Sequence, residues 1–406
     1  MFGTASALLF GFLALVGLAT TSHSLSAVGI MGFLVSLGTW LWSRSAPQHL
    51  TYERQLSQTH AFFDEELSLT ITITNNKPIP VTWIEIEDEF PDDVEILGKD
   101  LEDTPKRGIR NLSHRVSLGP FEKIIWNYRL HCWQRGVFQI GPATLRTGDP
   151  FGFFKKEIHF SKKESLLVYP KVVPMRLLDL EGRSENGDIR GKKYISQDTG
   201  RIRGFKEYEP GDPLKLIDWK ATARHDRMLS RVLEPENSLV AVPLLNIDTT
   251  GVPYGGYVPK NLERVITVAA SITWDSLTSG RSVGIVTNGK SVLYERPMSV
   301  PPGMNPKQLS LIFEALAMAS PFVGSPIEHD LLVTSKKLPP GATFLFITGI
   351  MNAAIQNALE ILVGQKRAPL ILWVSDWEPE GIPEEIHWKD LSHHLSLLEE
   401  QNVSAV

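Results

Sequence analysis

Two apolar runs at the start constrain this chain more than any other feature. Residues 5–22 (ASALLFGFLALVGLATTS) and 25–42 (LSAVGIMGFLVSLGTWLW) contain no Asp, Glu, Lys or Arg. Each is about 18 residues long, close to the length a helix needs to cross the hydrocarbon layer. The polar break Thr20–Ser26 is short, which predicts a tight helical hairpin. Ala7/Gly11 and Gly32/Ser36 offer small residues at i, i+4 spacing for close backbone approach. Trp40 and Trp42 end the second run, where indoles favour the headgroup region. A secretory signal is disfavoured because the leader lacks Lys and Arg and a second apolar run follows at once. Arg44 and Arg54 follow the second run, and the hairpin loop has no basic residue. The positive-inside bias therefore places both termini of the pair on the cytoplasmic side. The expected location is the inner membrane, multi-pass, with membrane lipid contacted through residues 5–42 and the body facing the cytoplasm.

From residue 50 to about 169 the pattern changes to period two. In LSLTITITNN (67–76), Leu67, Leu69, Ile71 and Ile73 alternate with Ser and Thr. VTWIEIEDEF (81–90), KIIWNYRLHCW (123–133) and GVFQIGPATLR (136–146) follow, with Pro, Gly and Asn turns between them, as in a β-sandwich. His131 and Cys132 are strand neighbours and point to opposite faces, so they cannot form a nucleophile–base pair. Asp149 before Pro150 reads as a turn aspartate. The single cysteine excludes an internal disulfide.

After residue 236 strands alternate with helices. LVAVPLLNID (239–248) reads as a strand buried on both faces, and 261–278 as a helix closed by Gly280. SVGIVTNG (282–289) is expected to pair with SVLYERP (291–297) across an Asn288–Lys290 turn. A helix at 306–319, a strand at 342–349, a helix at 351–364 and a strand at 369–376 complete an open α/β sheet. Ligands of such sheets sit at the strands' carboxyl ends, here Asp248, Gly349 and Asp376. The tail 391–406 begins with helical spacing.

Between these parts lies YEPGDPLKLIDWKATARHDRMLSRVLEPE (208–236). Residues 183–231 hold twelve Lys or Arg against eight Asp or Glu. Pro210–Pro213 predicts a tight turn and Leu214–Arg227 a short helix, with Trp219 packed inward and Lys220 and Arg224 outward. Three uses of these charges stay open. Asp212 and Asp218 could hold Arg224 and Lys220 in a structural lock, the segment could dock a partner, or it could form a catalytic or phosphate site. No catalytic residue is singled out. Acidic residues interrupt any basic stripe and the net charge is −5, which excludes nucleic acid as the expected partner.

The segments GDPFGFF (148–154), YEPGDPLKLIDWKATAR (208–224), LSRVLEPE (229–236) and LLNID (244–248) resemble the bacterial domain-of-unknown-function fifty-eight family. The most specific piece comprises Gly211, Asp212, Asp218, Trp219, Ala223 and Arg224, with Tyr208 just before it. The resemblance implies an α+β multidomain chain. Its parts are a transmembrane helical hairpin (1–46), a β-sandwich (47–170), the charged signature with a lead-in hairpin (171–236) and an α/β von Willebrand A-like, open Rossmann-like domain (237–406).

The resemblance also implies a MoxR-type AAA+ ATPase as partner. This sequence has no phosphate loop of its own, so hydrolysis falls to that partner. Von Willebrand A domains often hold Mg²⁺ through Asp-x-Ser-x-Ser. Here the run is Asp248-Thr249-Thr250-Gly251-Val252, and Gly349 and Ile350 stand where a later aspartate is expected. Only Asp248 and Thr250 remain as ligands, so a degenerate site and no cofactor are expected. The expected function is a membrane-anchored, non-enzymatic adaptor. A divalent-metal-dependent ligand-binding or adhesion module and an enzyme using the Asp/Arg cluster are the alternatives.

Overall fold

The computed structural model describes residues 2–151, 154–178, 180, 197–208, 217–225, 227–235, 240–252, 255–293, 297–338 and 342–403. They fall into two compact units, residues 1–170 and 171–406. It is a mixed α/β chain, with apolar helices and sandwich-like sheets in the first unit.

That unit opens with helices Phe2–Ala19 and His23–Ser45, packed as a hairpin. Among the described residues, His23–Ser45 is the helix long and apolar enough to cross a membrane by length and composition. The backbones come closest at Gly17, beside Leu25 and Ser26, and at Gly29, beside Ala14; a Cβ at either would collide with backbone. At Gly11 and Gly32, by contrast, the neighbours are the side chains of Phe33 and Phe10. The small-residue contact therefore lies nearer the loop than the spacing predicts.

The strands that follow form two main antiparallel sheets. One runs Leu50–Leu56, Glu65–Asn75, Lys123–Cys132, Glu95–Ile96; the other runs Lys155–Phe160, Ala143–Gly148, Val81–Pro91, Ile109–Leu118, Glu102–Asp103. Leu67, Leu69, Ile71 and Ile73 are buried on one face of their strand, as the alternation requires. In Val81–Pro91 a register shift between Val81 and Ile84 moves the inward face onto Ile84, Ile86, Asp88 and Phe90. That bulge explains why both faces look apolar in sequence. The expected single strand 136–146 is two strands. Gly136–Ile140 joins a small sheet with Glu164–Val168 and His60–Ala61, while Ala143–Gly148 crosses into the five-stranded sheet. At the break Gly141 has φ +100, and the Arg54 guanidinium occupies the space a Cβ would need.

In the second unit the main sheet is ordered Pro297–Gly303, Val283–Ser291, Ala241–Leu245, Thr343–Thr348, Leu370–Trp373, Trp388–Asp390. All neighbours are parallel except Pro297–Gly303, and Ala319–Val323 adds antiparallel to the far end of Val283–Ser291. The helices are Pro259–Thr278, Gln308–Ala317, Ile327–Lys337, Ala353–Gly364 and Ser392–Val403. Leu244, Phe346, Ile355, Leu359 and Ile371 lie in a core between sheet and helices. The expected Asn288–Lys290 turn is instead strand. Asn288 is fully buried and spends its side chain on Ile247 and Asn246, so the chain runs straight through to Ser291. A separate hairpin pairs Gln197–Glu207 with Leu229–Pro235, and helix Trp219–His225 lies in its connection.

Candidate functional site

The charged segment builds a short, exposed helix on a fixed base. Ile217 bridges to Ser230, and the Asp218 amide donates to the Leu229 carbonyl at 2.9 Å. Asp218, itself buried, caps the helix: its Oδ1 accepts from the amides of Lys220 (3.0 Å) and Ala221 (2.9 Å). One turn on, the Thr222 hydroxyl accepts from the Leu229 amide at 3.0 Å. The base is thus stitched by backbone and cap. No ion pair joins Asp218 to Lys220 or Arg224 among the described residues; both cations are exposed.

Trp219 differs from expectation most. It is 68% exposed, not packed inward. The cap fixes the first helical residue on the solvent side, and Ala221 and Thr222 take the inner positions. Met228 is also exposed, and Arg227 pairs on the surface with Glu207. Tyr208 is half-buried, its amide donating to the Met228 carbonyl. Gly211 and Asp212 lie outside the described residues.

A second polar cluster occupies the carboxyl edge of the α/β sheet. Asn246, Asn288 and Thr348, all fully buried, link three adjacent strands. Asn246 Nδ2 donates to Thr348 Oγ1 (3.1 Å), Asn288 Nδ2 to Asn246 Oδ1 (3.0 Å) and the Ile247 amide to Asn288 Oδ1 (2.8 Å). Thr348 in turn exchanges hydrogen bonds with the Ile350 backbone. The set is closed on itself, which makes it a structural floor.

Above that floor, Asp248 Oδ1 accepts from the amides of Thr250 (3.1 Å) and Gly251 (2.9 Å), with the Thr250 hydroxyl at 3.4 Å. The carboxylate folds its own loop. Two strands along, past the end of Leu370–Trp373, Asp376 meets Lys260 at 2.7 Å and Arg264 at 2.6 Å. Arg264 is buried and also donates to the Val374 carbonyl, Ser396 and both oxygens of Glu399. Burial raises the Asp376 carboxyl, but hydrogen bonds from Lys260 and Arg264 and their charges outweigh it and hold it at about 2. Two cations therefore occupy the Asp376 carboxylate, and Val252 offers no oxygen side chain. Mg²⁺ needs several hard oxygen ligands in an octahedron. Asp248 and Thr250 do not supply them, and the residues here do not fit the ion.

Asp376 stands at one of the strand ends the sequence pointed to, whereas Lys260, Arg264 and Glu399 were not singled out by sequence. The available signal was Arg264 itself, which shares the i, i+3, i+4 stripe of Asn261, Val265 and Val268 on the buried face of its helix. In the sandwich, Cys132 is buried, its thiol pushed up to about 11 by burial and by Glu65. His131 faces the other way, to Asp64 at 2.7 Å. Asp149 holds the amides of Phe151 and Phe154, as a turn aspartate does.

The family model described as "Protein of unknown function DUF58" matches residues 204–388. Residues 204–388 form a DUF58 region. It contains both the exposed helix and most of the carboxyl edge. An uncharacterised protein of Bacillus subtilis (strain 168), YeaD, is 26% identical over 239 residues, covering 58% of this chain and 55% of YeaD. The match thus spans about half the length of that relative. Among solved structures, a CARDB domain of a Pyrococcus furiosus protein is similar at 19% identity and TM-score 0.21, over 29% of this chain and 86% of that one. An alpha-2-macroglobulin fragment from Escherichia coli follows at 18% identity and TM-score 0.23, over 30% and 17%. Likenesses so slight leave the reading of the DUF58 region to its own geometry.

Proposed function

We propose that this protein is a membrane-anchored, non-enzymatic adaptor that engages a MoxR-type AAA+ ATPase through a von Willebrand A-like domain. The observation that carries the reading is Trp219: a large indole held in solvent by a capped helix, with Lys220, Arg224 and Arg227 exposed on the same short segment. Tryptophan and arginine dominate binding energy at protein interfaces, and a pre-formed base reduces the ordering cost of docking. The strand order, with one antiparallel edge, supports the von Willebrand A-like assignment. The self-satisfied floor and the Lys260–Asp376–Arg264 cluster support a structural carboxyl edge over a metal-dependent one. The apolar helix His23–Ser45 supports the anchor, and Arg44 at its end supports a body on the cytoplasmic side of the inner membrane, with Phe2–Ala19 as a second crossing.

The test is isolation of the tagged full-length chain from its native membrane with and without ATP. Mass spectrometry then reads its companions. The adaptor reading expects an AAA+ ATPase that is lost with Trp219→Ala or Arg224→Ala while circular dichroism stays unchanged. Recovery of the chain alone under both conditions would overturn it.

A further inference from the structure

Three loops at one pole of the sandwich hold apolar side chains out of the core. Strand register identifies the pole. Leu50 lies opposite Asn75, and Thr74 opposite Lys123. Loops 76–80 and 119–122 therefore leave their strands where the chain arrives from helix His23–Ser45. Thr147 lies opposite Ile84, near the start of Val81–Pro91, which brings the following residues Asp149–Phe151 to the same pole. The helix packs beside the strand that leads to them, Ala143–Gly148.

Lys77 ties this pole to the helix end. Its Nζ is buried and donates to the carbonyls of Ser45, Ala46 and Gln48 at 2.8, 2.5 and 2.7 Å. Ser45 and Ala46 end the helix, where a cation answers the helix dipole. Asn75, fully buried, donates to the carbonyls of Ile79 (3.0 Å) and Gly119 (2.7 Å). The Phe121 amide donates to the Lys77 carbonyl at 3.2 Å, and the Asn76 amide to that of His49 at 2.9 Å. Helix end and loops are one knit platform.

On this platform Phe121 and Phe151 are each 67% exposed and Ile79 is 37% exposed. Phe121 holds φ +53, a conformation bulky residues rarely adopt. Lys123 and Lys155 are exposed at the strand ends behind these tips, and Arg44 is exposed with its guanidinium 5.0 Å from the Trp40 ring. Of the acids in these loops, Asp149 is buried and holds the Phe151 and Phe154 amides, and Glu122 turns its carboxylate to the Gly119 amide at 2.5 Å. Helix His23–Ser45 ends three residues past Trp42, which the anchor reading puts at headgroup level, a rise of about 5 Å. That matches the roughly 5–10 Å over which interfacial side chains enter a bilayer.

We propose that this pole is seated on the bilayer: Ile79, Phe121 and Phe151 enter the headgroup–acyl boundary, and Lys123, Lys155 and Arg44 meet lipid phosphates. The inference rests on the membrane-anchor reading. What selects lipid over a protein partner is continuity, since hydrogen bonds bind the tips to the last residues of the membrane helix. The seated sandwich then holds a fixed height and tilt on the anchor.

The test places a single environment-sensitive label on the full chain by Ile79→Cys, Phe121→Cys or Phe151→Cys, with buried Cys132 left in place. Trp133→Cys is the control, because Trp133 is exposed at the opposite pole, next to Cys132, which lies opposite Glu65. The proteins are reconstituted into phosphatidylcholine–phosphatidylglycerol vesicles, and quenching by doxyl lipid is compared with quenching by aqueous iodide. Labels at 79, 121 and 151 should be quenched by doxyl lipid about 3-fold or more above the control. Equal quenching at both poles in floating vesicles overturns this proposal and leaves the anchor standing. Protection of the three labels from both quenchers, the mark of a protein cover, also overturns it. A chain that does not float with the vesicles overturns the anchor and this proposal together.

Discussion

The sandwich and the α/β unit both bury arginine, and they use it differently. In the sandwich, Arg54 pairs with Asp88, which also accepts from the Tyr52 hydroxyl at 2.6 Å; Arg54 further donates to the Lys162 carbonyl. Tyr52, Arg54 and Asp88 are all buried, in a unit built of antiparallel sheets. In the α/β unit, Arg264 is buried but its carboxylates, Asp376 and Glu399, are half in water at the carboxyl edge of parallel strands. An antiparallel sandwich has no preferred edge, so its ion pair braces the middle. A parallel sheet gathers its loops at one edge, so its cation ties down those loops and the C-terminal helix. The comparison teaches that the burial of the partners, more than that of the arginine, sets what the pair does.

The sharpest way to break the comparison is to remove one partner from each cluster. Asp88→Ala leaves the Arg54 guanidinium buried and unpaired, and should cost the sandwich about 3–5 kcal/mol in chemical denaturation. Tyr52→Phe, which keeps the ion pair, should cost about 1 kcal/mol. Arg264→Ala should cost the α/β unit about 2–4 kcal/mol. Its signature is local: amide exchange should speed up in Ser392–Val403 before the sheet opens. Equal exchange in wild type and variant would mean that Glu399 and Ser396 do not hold that helix.

Acid separates the units more gently. Burial, with Lys99 adding, lowers the His114 imidazole from 6.5 to about 4, so this side chain binds fewer protons folded than unfolded in that window. The His114 contribution to stability is therefore lost as pH drops from about 6.5 through 4, while Asp88, raised by burial to about 6, works in the opposite direction. His114→Gln should remove the first and leave the second. Asp376 titrates the opposite unit lower. Its folded value of about 2 lies below the ordinary 3.8, so its contribution is complete above 3.8 and lost as pH falls through about 2. The smallest effect expected is at the capped helix Trp219–His225, where Asp218→Asn keeps a capping oxygen and should cost only a few tenths of a kcal/mol through the cap, against about 1 for Asp218→Ala.

What the sequence made legible follows periodicity. Leu67 to Ile73 announced their strand because one inward face leaves a period of two. The parallel strands showed as continuous apolar runs. What stayed hidden depends on partners far along the chain. Lys77 reads as a turn lysine, and nothing local reveals the carbonyls of residues 45–48 as its acceptors. Asn288-Gly289 is a strong turn signal, overridden because Asn246 and Ile247 supply buried partners. Trp219 was expected inward because indoles usually bury. The cap at Asp218, equally readable as half of an ion pair, sends it outward.

The measurement that bears most directly on the account is photo-crosslinking in the native membrane from two tryptophan positions of the DUF58 region. A benzophenone side chain replaces either Trp219, on the capped helix, or Trp377, 52% exposed by the carboxyl edge. The docking account predicts an AAA+ ATPase adduct from position 219 and none from 377. An adduct from 377 alone would move the interface to the sheet edge and contradict it.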